Sequence, residues 1–372
     1  MSGSTFGTLF KITTWGESHG TGIGVVIDGC PAGLPLTEEK IQAYLNRRKP
    51  GQTRYSTPRK EDDLVTIQSG VFDGRTTGCP ISLAVMNTSQ RSKDYSAISQ
   101  YYRPGHADYT FTEKYGFRDY RGGGRSSGRE TIGRVAGGAV AAEFLKELGI
   151  TIRAYTKSIG PISIDYAACN TANIEKSPLY MPDLAASEKA EAYLLETMQK
   201  GDSAGGMIEC IVTGLPAGIG EPVFDKLDAC LAKAIMSIGA VKGFEIGSGF
   251  SCATMTGSVH NDSFISNHGK ITKATNHAGG ILGGISDGSE VIFRAAIKPT
   301  PSISTVQQTV DADGTPLTVN ITGRHDPVIV PRAVVVVESM AAITIADLLL
   351  SHMTSQLSHI KRFFGADGNT SL

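Results

Sequence analysis

Gly16-Glu17-Ser18-His19-Gly20-Thr21-Gly22-Ile23-Gly24-Val25-Val26-Ile27-Asp28-Gly29-Cys30-Pro31-Ala32-Gly33 returns without a gap 185 residues later as Gly201-Asp202-Ser203-Ala204-Gly205-Gly206-Met207-Ile208-Glu209-Cys210-Ile211-Val212-Thr213-Gly214-Leu215-Pro216-Ala217-Gly218. Gly16, Ser18, Gly20, Gly29, Pro31, Ala32 and Gly33 fall on Gly201, Ser203, Gly205, Gly214, Pro216, Ala217 and Gly218. An offset of about half the chain marks an internal duplication. Inside each copy an apolar run of strand length, Gly24 to Asp28 or Met207 to Val212, is bounded by glycine and proline punctuation. A helical pattern follows each Pro-Ala-Gly turn, so each unit reads loop, strand, turn, helix. The pattern predicts an α+β chain of two pseudo-equivalent halves, near residues 8–150 and 193–350, in a single domain over 1–363 with a flexible tail at 364–372.

Working outward, the first helix takes Thr37 as N-cap, sets Ile41, Tyr44, Leu45 and Arg48 on one face, and ends in Arg47, Arg48 and Lys49 before Pro50-Gly51. That basic end suits the helix dipole. Its counterpart is predicted to open with Pro222 and to carry Phe224, Leu227, Leu231 and Ile235. A weaker echo pairs Gly70 to Gly74 with Gly284 to Gly288. Another pairs Arg125 to Arg134 and its helix with Arg324 to Arg332 and its helix. Residues 130–148 form a helix rich in Gly and Ala, which lets another element approach closely. Residues 341–363 form a long helix after the apolar run Ala333 to Val337, and 163–190, the least patterned stretch, reads as a surface excursion. Where the copies differ, function was gained or lost: His19 faces Ala204 and Arg54 faces Gly239, while Ser18 and Gly20 recur and read as scaffold.

With 372 residues, 40% apolar and 19% charged, the chain can bury a sizeable core. It begins without a basic segment leading into an apolar one, and no apolar run is long enough to predict a bilayer span, so a cytoplasmic protein is expected. Six cysteines form no CxxC pair and eight histidines no HExxH, so neither disulfides nor a metal is expected. The net charge of −1 hides an asymmetry. Residues 1–135 hold 18 Lys and Arg against 13 Asp and Glu, and the remainder 17 against 23. Twelve of the 17 arginines lie in the first part, many in glycine-rich loops, which suits a pocket for a small polyanion. A nucleic-acid surface is disfavoured by sparse aromatic interleaving and an acidic remainder.

Chemistry concentrates in three segments. Gly16 to Gly20 and Arg103-Pro104-Gly105-His106-Ala107-Asp108 each place a histidine, the side chain that titrates near neutral pH, in a loop with no apolar period to bury it. Gly122 to Thr131 adds Arg125, Ser126, Ser127 and Arg129 in front of a helix N-terminus, predicting donors converging on an anion. Neither GxxxxGK[ST] nor a GxGxxG following a strand is present, which excludes the common nucleotide folds.

Taken with SIGAVKGFEIGSGF, NHAGGILGGISDG, KPTPSI and GRHDP, the segments GESHG, RPGHADY and GGGRSSGRETIGRVAGGA run in the order of the chorismate synthase family, which the chain resembles over nearly its whole length. Gly128 and Gly239 depart from residues common in relatives, away from the acid-base groups. The resemblance implies a β-α-β sandwich with helices enclosed by antiparallel sheets, a homotetramer, and a carbon–oxygen lyase acting on 5-enolpyruvylshikimate 3-phosphate with reduced FMN. It implies catalytic roles for His19, His106 and Asp326, and substrate contacts from Arg48 and Arg54 with Arg129, Arg134 and Arg332 as helpers. It places Arg125, Ser126, Ser127, Gly239, Ala240, Gly283, Lys298, Pro299, Thr300, Pro301, Ser302 and Arg324 at the flavin. Reduced flavin would come through NADPH as an indirect reductant or from a separate flavin reductase. The alternative from the residues is an FMN-dependent oxidoreductase acting on a small polyanion.

Overall fold

Alternating burial along two sets of strands builds two five-stranded antiparallel sheets. The computed structural model describes residues 3–57, 61–88, 97–121, 123–321 and 326–366. Sheet 1 comprises β1 (Thr5–Phe6), β2 (Lys11–Gly16), β3 (Gly22–Asp28), β4 (Val65–Ser69) and β5 (Ile81–Met86), in the order β1-β2-β3-β5-β4. Sheet 2 comprises β6 (Thr151–Ile159), β7 (Ile162–Ser163), β8 (Gly206–Thr213), β9 (Val241–Ile246) and β10 (Val291–Ile297), in the order β7-β6-β8-β10-β9. Ile23, Val25 and Ile27 point inward from β3, and Ile208, Cys210 and Val212 from β8, all fully buried.

Superposing the repeat makes β2, β3, β5 and β4 the counterparts of β6, β8, β10 and β9, in the same spatial order. Side chains repeat the correspondence. Thr76 Oγ1 donates to the Pro31 carbonyl at 2.6 Å and accepts from Leu34 N–H at 3.0 Å; Ser286 Oγ donates to the Pro216 carbonyl at 2.6 Å and accepts from Ile219 N–H at 2.9 Å. These two hydroxyls lie in small ribbons, Val71–Phe72 with Arg75–Thr76 and Ile281–Leu282 with Ile285–Ser286. The true counterpart of Gly70 to Gly74 is therefore Gly280 to Gly284, four residues before the pairing the sequence predicts. The turn requires left-handed backbone at Asp73 and Gly74 (φ 48° and 71°) and again at Gly283 and Gly284 (62° and 90°).

The helices longer than about one turn are α1 (Glu38–Arg48), α2 (Asp108–Tyr115), α3 (Thr131–Glu147), α4 (Leu184–Gln199), α5 (Leu227–Met236), α6 (Val330–His352) and α7 (Leu357–Phe363). Helix α3 packs on β2 and β3, α6 on β6 and β8, and the two pack on each other between the sheets. A Cβ on Gly138 would lie 2.5 Å from Ser339 Cα, so the closeness of α3 and α6 depends on that glycine. This is the expected α+β sandwich with helices enclosed by antiparallel sheets. Thr37 caps α1 as predicted, accepting from Lys40 N–H at 3.4 Å.

Three sequence expectations need correction. Helix α5 starts at Leu227, not Pro222; Val223 takes φ 71° and Phe224 is exposed, because residues 221–226 wrap the ribbon at Gly284, whose carbonyl accepts from Leu227 N–H at 2.8 Å. The run Ala333 to Val337 belongs to α6, which ends at His352. This helix is long and apolar enough to span a bilayer, but 78% of its most apolar window is buried in the protein core. The unpatterned stretch stops at Asp183, whose carboxylate accepts from Ala186 N–H at 3.1 Å and starts α4.

Candidate active site

The turn between β2 and β3 carries His19 on a backbone held from beneath. Asn87, just past β5, donates through Nδ2 to the carbonyls of Glu17 (3.0 Å) and Gly20 (2.9 Å), and its own N–H bonds the Thr21 carbonyl. The His19 ring is buried, with Nδ1 3.2 Å from Ser18 Oγ, so the recurrent serine steadies the unique histidine. Asn87 Oδ1 accepts from Arg129 Nε and Nη2 at 3.1 and 2.8 Å. Arg129 also meets Glu61 and, at 3.1 Å, Asp63 Oδ1, while Asp63 Oδ2 accepts from Arg48 Nη1 at 2.8 Å.

Arg48 closes α1 and is fully buried. Burial pulls its guanidinium well below the ordinary arginine value; Asp63 opposes this, and the nearby Arg332 and Arg129 add to it. Among the described residues its Nη2 has no hydrogen-bond partner. The Arg48 carbonyl accepts from Arg332 Nε at 3.1 Å, and Arg332 Nη1 reaches Asp326 Oδ2 at 2.5 Å. Asp326 Oδ1 accepts from Thr57 N–H at 2.8 Å, tying the loop after α1 to the segment before α6. Three predicted arginines and one predicted acid, drawn from both halves, thus share one cluster.

From Asp326 the connection continues toward His106. The Pro327 carbonyl accepts from Ala204 N–H at 2.9 Å, and the adjacent Ser203 Oγ donates to the Thr300 carbonyl at 2.7 Å. Two residues on, Ser302 Oγ lies 2.7 Å from His106 Nε2. The His106 loop is clamped by Arg103 and Asp108, both buried, through Nε–Oδ2 and Nη2–Oδ1 bonds of 2.7 and 2.8 Å. Burial pushes the Asp108 carboxyl up, but Arg103 more than offsets this and leaves it below the usual range. Lys298 Nζ donates to the Gly105 carbonyl at 2.9 Å, and burial, with Lys242 nearby, pulls its ammonium down. Pro299 abuts Gly205, and Pro301 abuts Gly105. Thr300 Oγ1 is buried with no partner among the described residues; Gly239 and Gly283 have open space where a Cβ would stand, and Ala240 between Gly239 and β9 takes φ 71°.

Of the glycine-loop donors expected to converge on an anion, Arg125, Ser126 and Ser127 are satisfied within the protein. Arg125 braces sheet 1, donating to the carbonyls of Gly16 (3.0 Å) and Thr14 (3.2 Å) and to Thr14 Oγ1 (2.7 Å). Ser126 Oγ donates to the Gly123 carbonyl, and Ser127 Oγ accepts from Arg129 N–H. Short serines and a neighbouring strand end satisfy these groups locally. Arg54 is exposed, against Tyr55 and Glu191, and Arg134 bonds Glu130 and Ser237; among the described residues neither bonds a member of the Arg48 cluster. Arg324 lies outside the described residues. Sequence reading missed Asn87, Glu61 and Asp63. The two acids carried one signal, charge of opposite sign to the arginines in Glu61-Asp62-Asp63, and Asn87 carried none.

A profile of the family described as chorismate synthase matches residues 10–350. A chorismate synthase from Lachnoclostridium phytofermentans is 70% identical over 98% of this chain and 100% of its own length. One from the archaeon Methanocella arvoryzae is 54% identical over 94% and 95%. A solved structure titled "Crystal Structure of Chorismate Synthase" aligns with a TM-score of 0.76 at 32% identity, covering 97% of this chain and 98% of that one. Matched in sequence and fold over nearly its full length, the chain belongs to the chorismate synthase family.

Proposed function

We propose that the protein converts 5-enolpyruvylshikimate 3-phosphate to chorismate by anti 1,4-elimination of phosphate and a C6 proton, with reduced FMN and no net redox change. The observation that carries this reading is Arg48: a fully buried guanidinium, paired to Asp63 through Nη1 and with Nη2 unpaired, beside two further arginines, suits an anionic group. A substrate bearing two carboxylates and a phosphate supplies the missing acceptors. Arg48, Arg129 and Arg332 bind these groups from inside, Arg54 from the exposed loop, and Arg134 supports the arrangement at the end of α5.

The residues suit a flavin. Thr300 Oγ1 offers an unused hydroxyl, Gly239 and Gly283 leave backbone open to close approach, and Ser302 joins the cofactor segment to His106. Lys298 through Ser302 with Ala240 and Arg324 would hold it, and Arg125 with Ser126 and Ser127 would shape the wall beside Gly16. When bound, the reduced flavin supplies the electron density that weakens the substrate's C3–O bond. His19 protonates or hydrogen-bonds the departing phosphate, as a buried imidazole held by Ser18 can. His106 would hold a proton beside the flavin, and Asp326, oriented by Arg332 and Thr57, would accept the C6 proton. The working form would be a cytoplasmic homotetramer supplied with reduced flavin by its own NADPH-dependent reduction or by a separate reductase.

Anaerobic turnover with photoreduced FMN, with and without NADPH, tests the reading. Chorismate should accumulate over many turnovers while the flavin remains reduced. One flavin oxidised per product would instead identify an FMN-dependent oxidoreductase.

A further inference from the structure

At the edge of sheet 1, β1 pairs Thr5 with Thr13 and Phe6 with Ile12, and the Ser4 carbonyl accepts from Thr14 N–H at 3.0 Å. This strand lies beside α5, whose Lys233 Nζ sits 5.8 Å from the Phe6 ring centroid. The duplication supplies a second edge of the same kind. Trp15 faces Gly24 and Tyr155 faces Glu209, and Gly24 and Glu209 are 185 residues apart, so Ile12, Thr13 and Thr14 correspond to Ile152, Arg153 and Ala154. Ala154 N–H donates to Glu338 Oε1 at 2.8 Å, where its counterpart Thr14 bonds a strand carbonyl. Backbone groups alternate sides along an antiparallel ladder, so the N–H and C=O of Ile152, like the N–H of Ala154, face away from β8. Among the described residues no strand covers them, since β7 pairs only with Ser158 and Ile159. They open instead on a cleft of about 700 Å³ lined by Ala43, Tyr44 and Arg47 of α1, the counterpart of α5, and by Ile174 and Glu175 of the excursion before α4, whose Tyr180 carbonyl takes the next outward N–H, that of Thr156, at 2.9 Å.

We propose that this cleft is a strand-addition site for an extended peptide segment of another polypeptide, binding antiparallel to β6 as β1 binds β2. The occupant has the chemistry of Ser4 to Phe6: small hydroxyl residues whose backbone pairs with Ile152, followed by an aromatic side chain laid against α1. The outward N–H and C=O of Ile152 supply the backbone recognition, and Ala43, Ala142, Leu145 and Ile150 supply an apolar patch for the side chain within an otherwise polar cleft. The ion pair of Arg47 with Glu338, at 2.6 Å, closes one end and limits the paired segment to two or three residues.

The test titrates the full-length protein with a synthetic peptide of sequence Gly3 to Phe10 and follows amide hydrogen exchange. Saturable binding with slowed exchange over residues 150–156 is expected. Ala43→Trp, which fills the cleft from α1, should weaken binding at least about tenfold, some 1.4 kcal/mol, while leaving turnover and thermal unfolding as in the parent. Ala142→Leu, from α3, fills the same cleft should the first variant fail to fold. Absence of binding at millimolar peptide, unchanged affinity in the filled variant, or protection over residues 11–16 through displacement of β1 would overturn the proposal.

Discussion

Asp63 holds Arg48 with one oxygen and Arg129 with the other, so a single carboxylate fixes the spacing of the two guanidiniums proposed to bind the substrate's anions. Such preorganisation lets the arginines meet a polyanion without first collapsing onto separate partners. His19→Ala should lower turnover by about 10²- to 10⁴-fold with reduced FMN saturating, as removal of an acid-base group does. Initial rates check this, and parental turnover would remove His19 from the mechanism. Asn87→Ala frees the Glu17 and Gly20 carbonyls and one acceptor of Arg129, so turnover should fall on the order of 10²-fold through displacement of the His19 loop. The pH profile of kcat read beside thermal unfolding separates displacement from simple loss of fold. His19 and Arg48 were legible in the sequence because one loop histidine and one helix-ending arginine carry local signals. Asp63 and Asn87 were not, because what defines them is a partner 66 or 42 residues away on another element.

At the scale of elements, two devices set the geometry. The first is the α3–α6 crossing at Gly138. Gly138→Ala forces its methyl onto the Ser339 backbone, and a destabilisation of about 1–3 kcal/mol in urea unfolding is expected; parental stability would contradict the close approach. The second is Asp262, buried in the loop that leads to Gly283. Burial pushes its carboxyl up, but the Thr275 hydroxyl, the N–H groups of Ala278 and His277, and Lys273 more than offset this and hold it far below the usual carboxylate range. A depressed folded value means the stabilisation is complete above the ordinary carboxylate pKa and is lost as pH falls through the acid range. Asp262→Asn should therefore cost about 1–3 kcal/mol at neutral pH and flatten the acid limb of the stability curve, as calorimetry from pH 2 to 7 would show. Helix α1 was legible from its cap and basic end. Helix α5 was misplaced by the proline cue at Pro222, which the wrapping of residues 221–226 around the Gly284 ribbon overrides, since the Gly284 carbonyl accepts from Leu227 N–H.

For the whole molecule, the duplication explains both the fold and the placement of the site. Two copies of one strand order enclose two helices, and the loops that diverged between the copies meet where they join. The basic first part contributes His19, Arg48 and Arg129, while the acidic second part contributes Asp326 and the segment Lys298 to Ser302, which is proposed to hold the flavin. The repeat was readable because glycine and proline positions recur at a fixed offset. The path from His106 through Ser302, Thr300, Ser203 and Pro327 to Asp326 was not, since hydrogen bonds between loops leave no period in a sequence. The most direct measurement is a crystal structure of the protein with oxidised FMN and 5-enolpyruvylshikimate 3-phosphate. Substrate anions should sit on Arg48 Nη2, Arg129 and Arg332, with both His19 and His106 within hydrogen-bond reach of substrate or flavin. Ligands ordered elsewhere, with the two imidazoles facing separate surfaces and Arg48 Nη2 still unpaired, would contradict a single shared site.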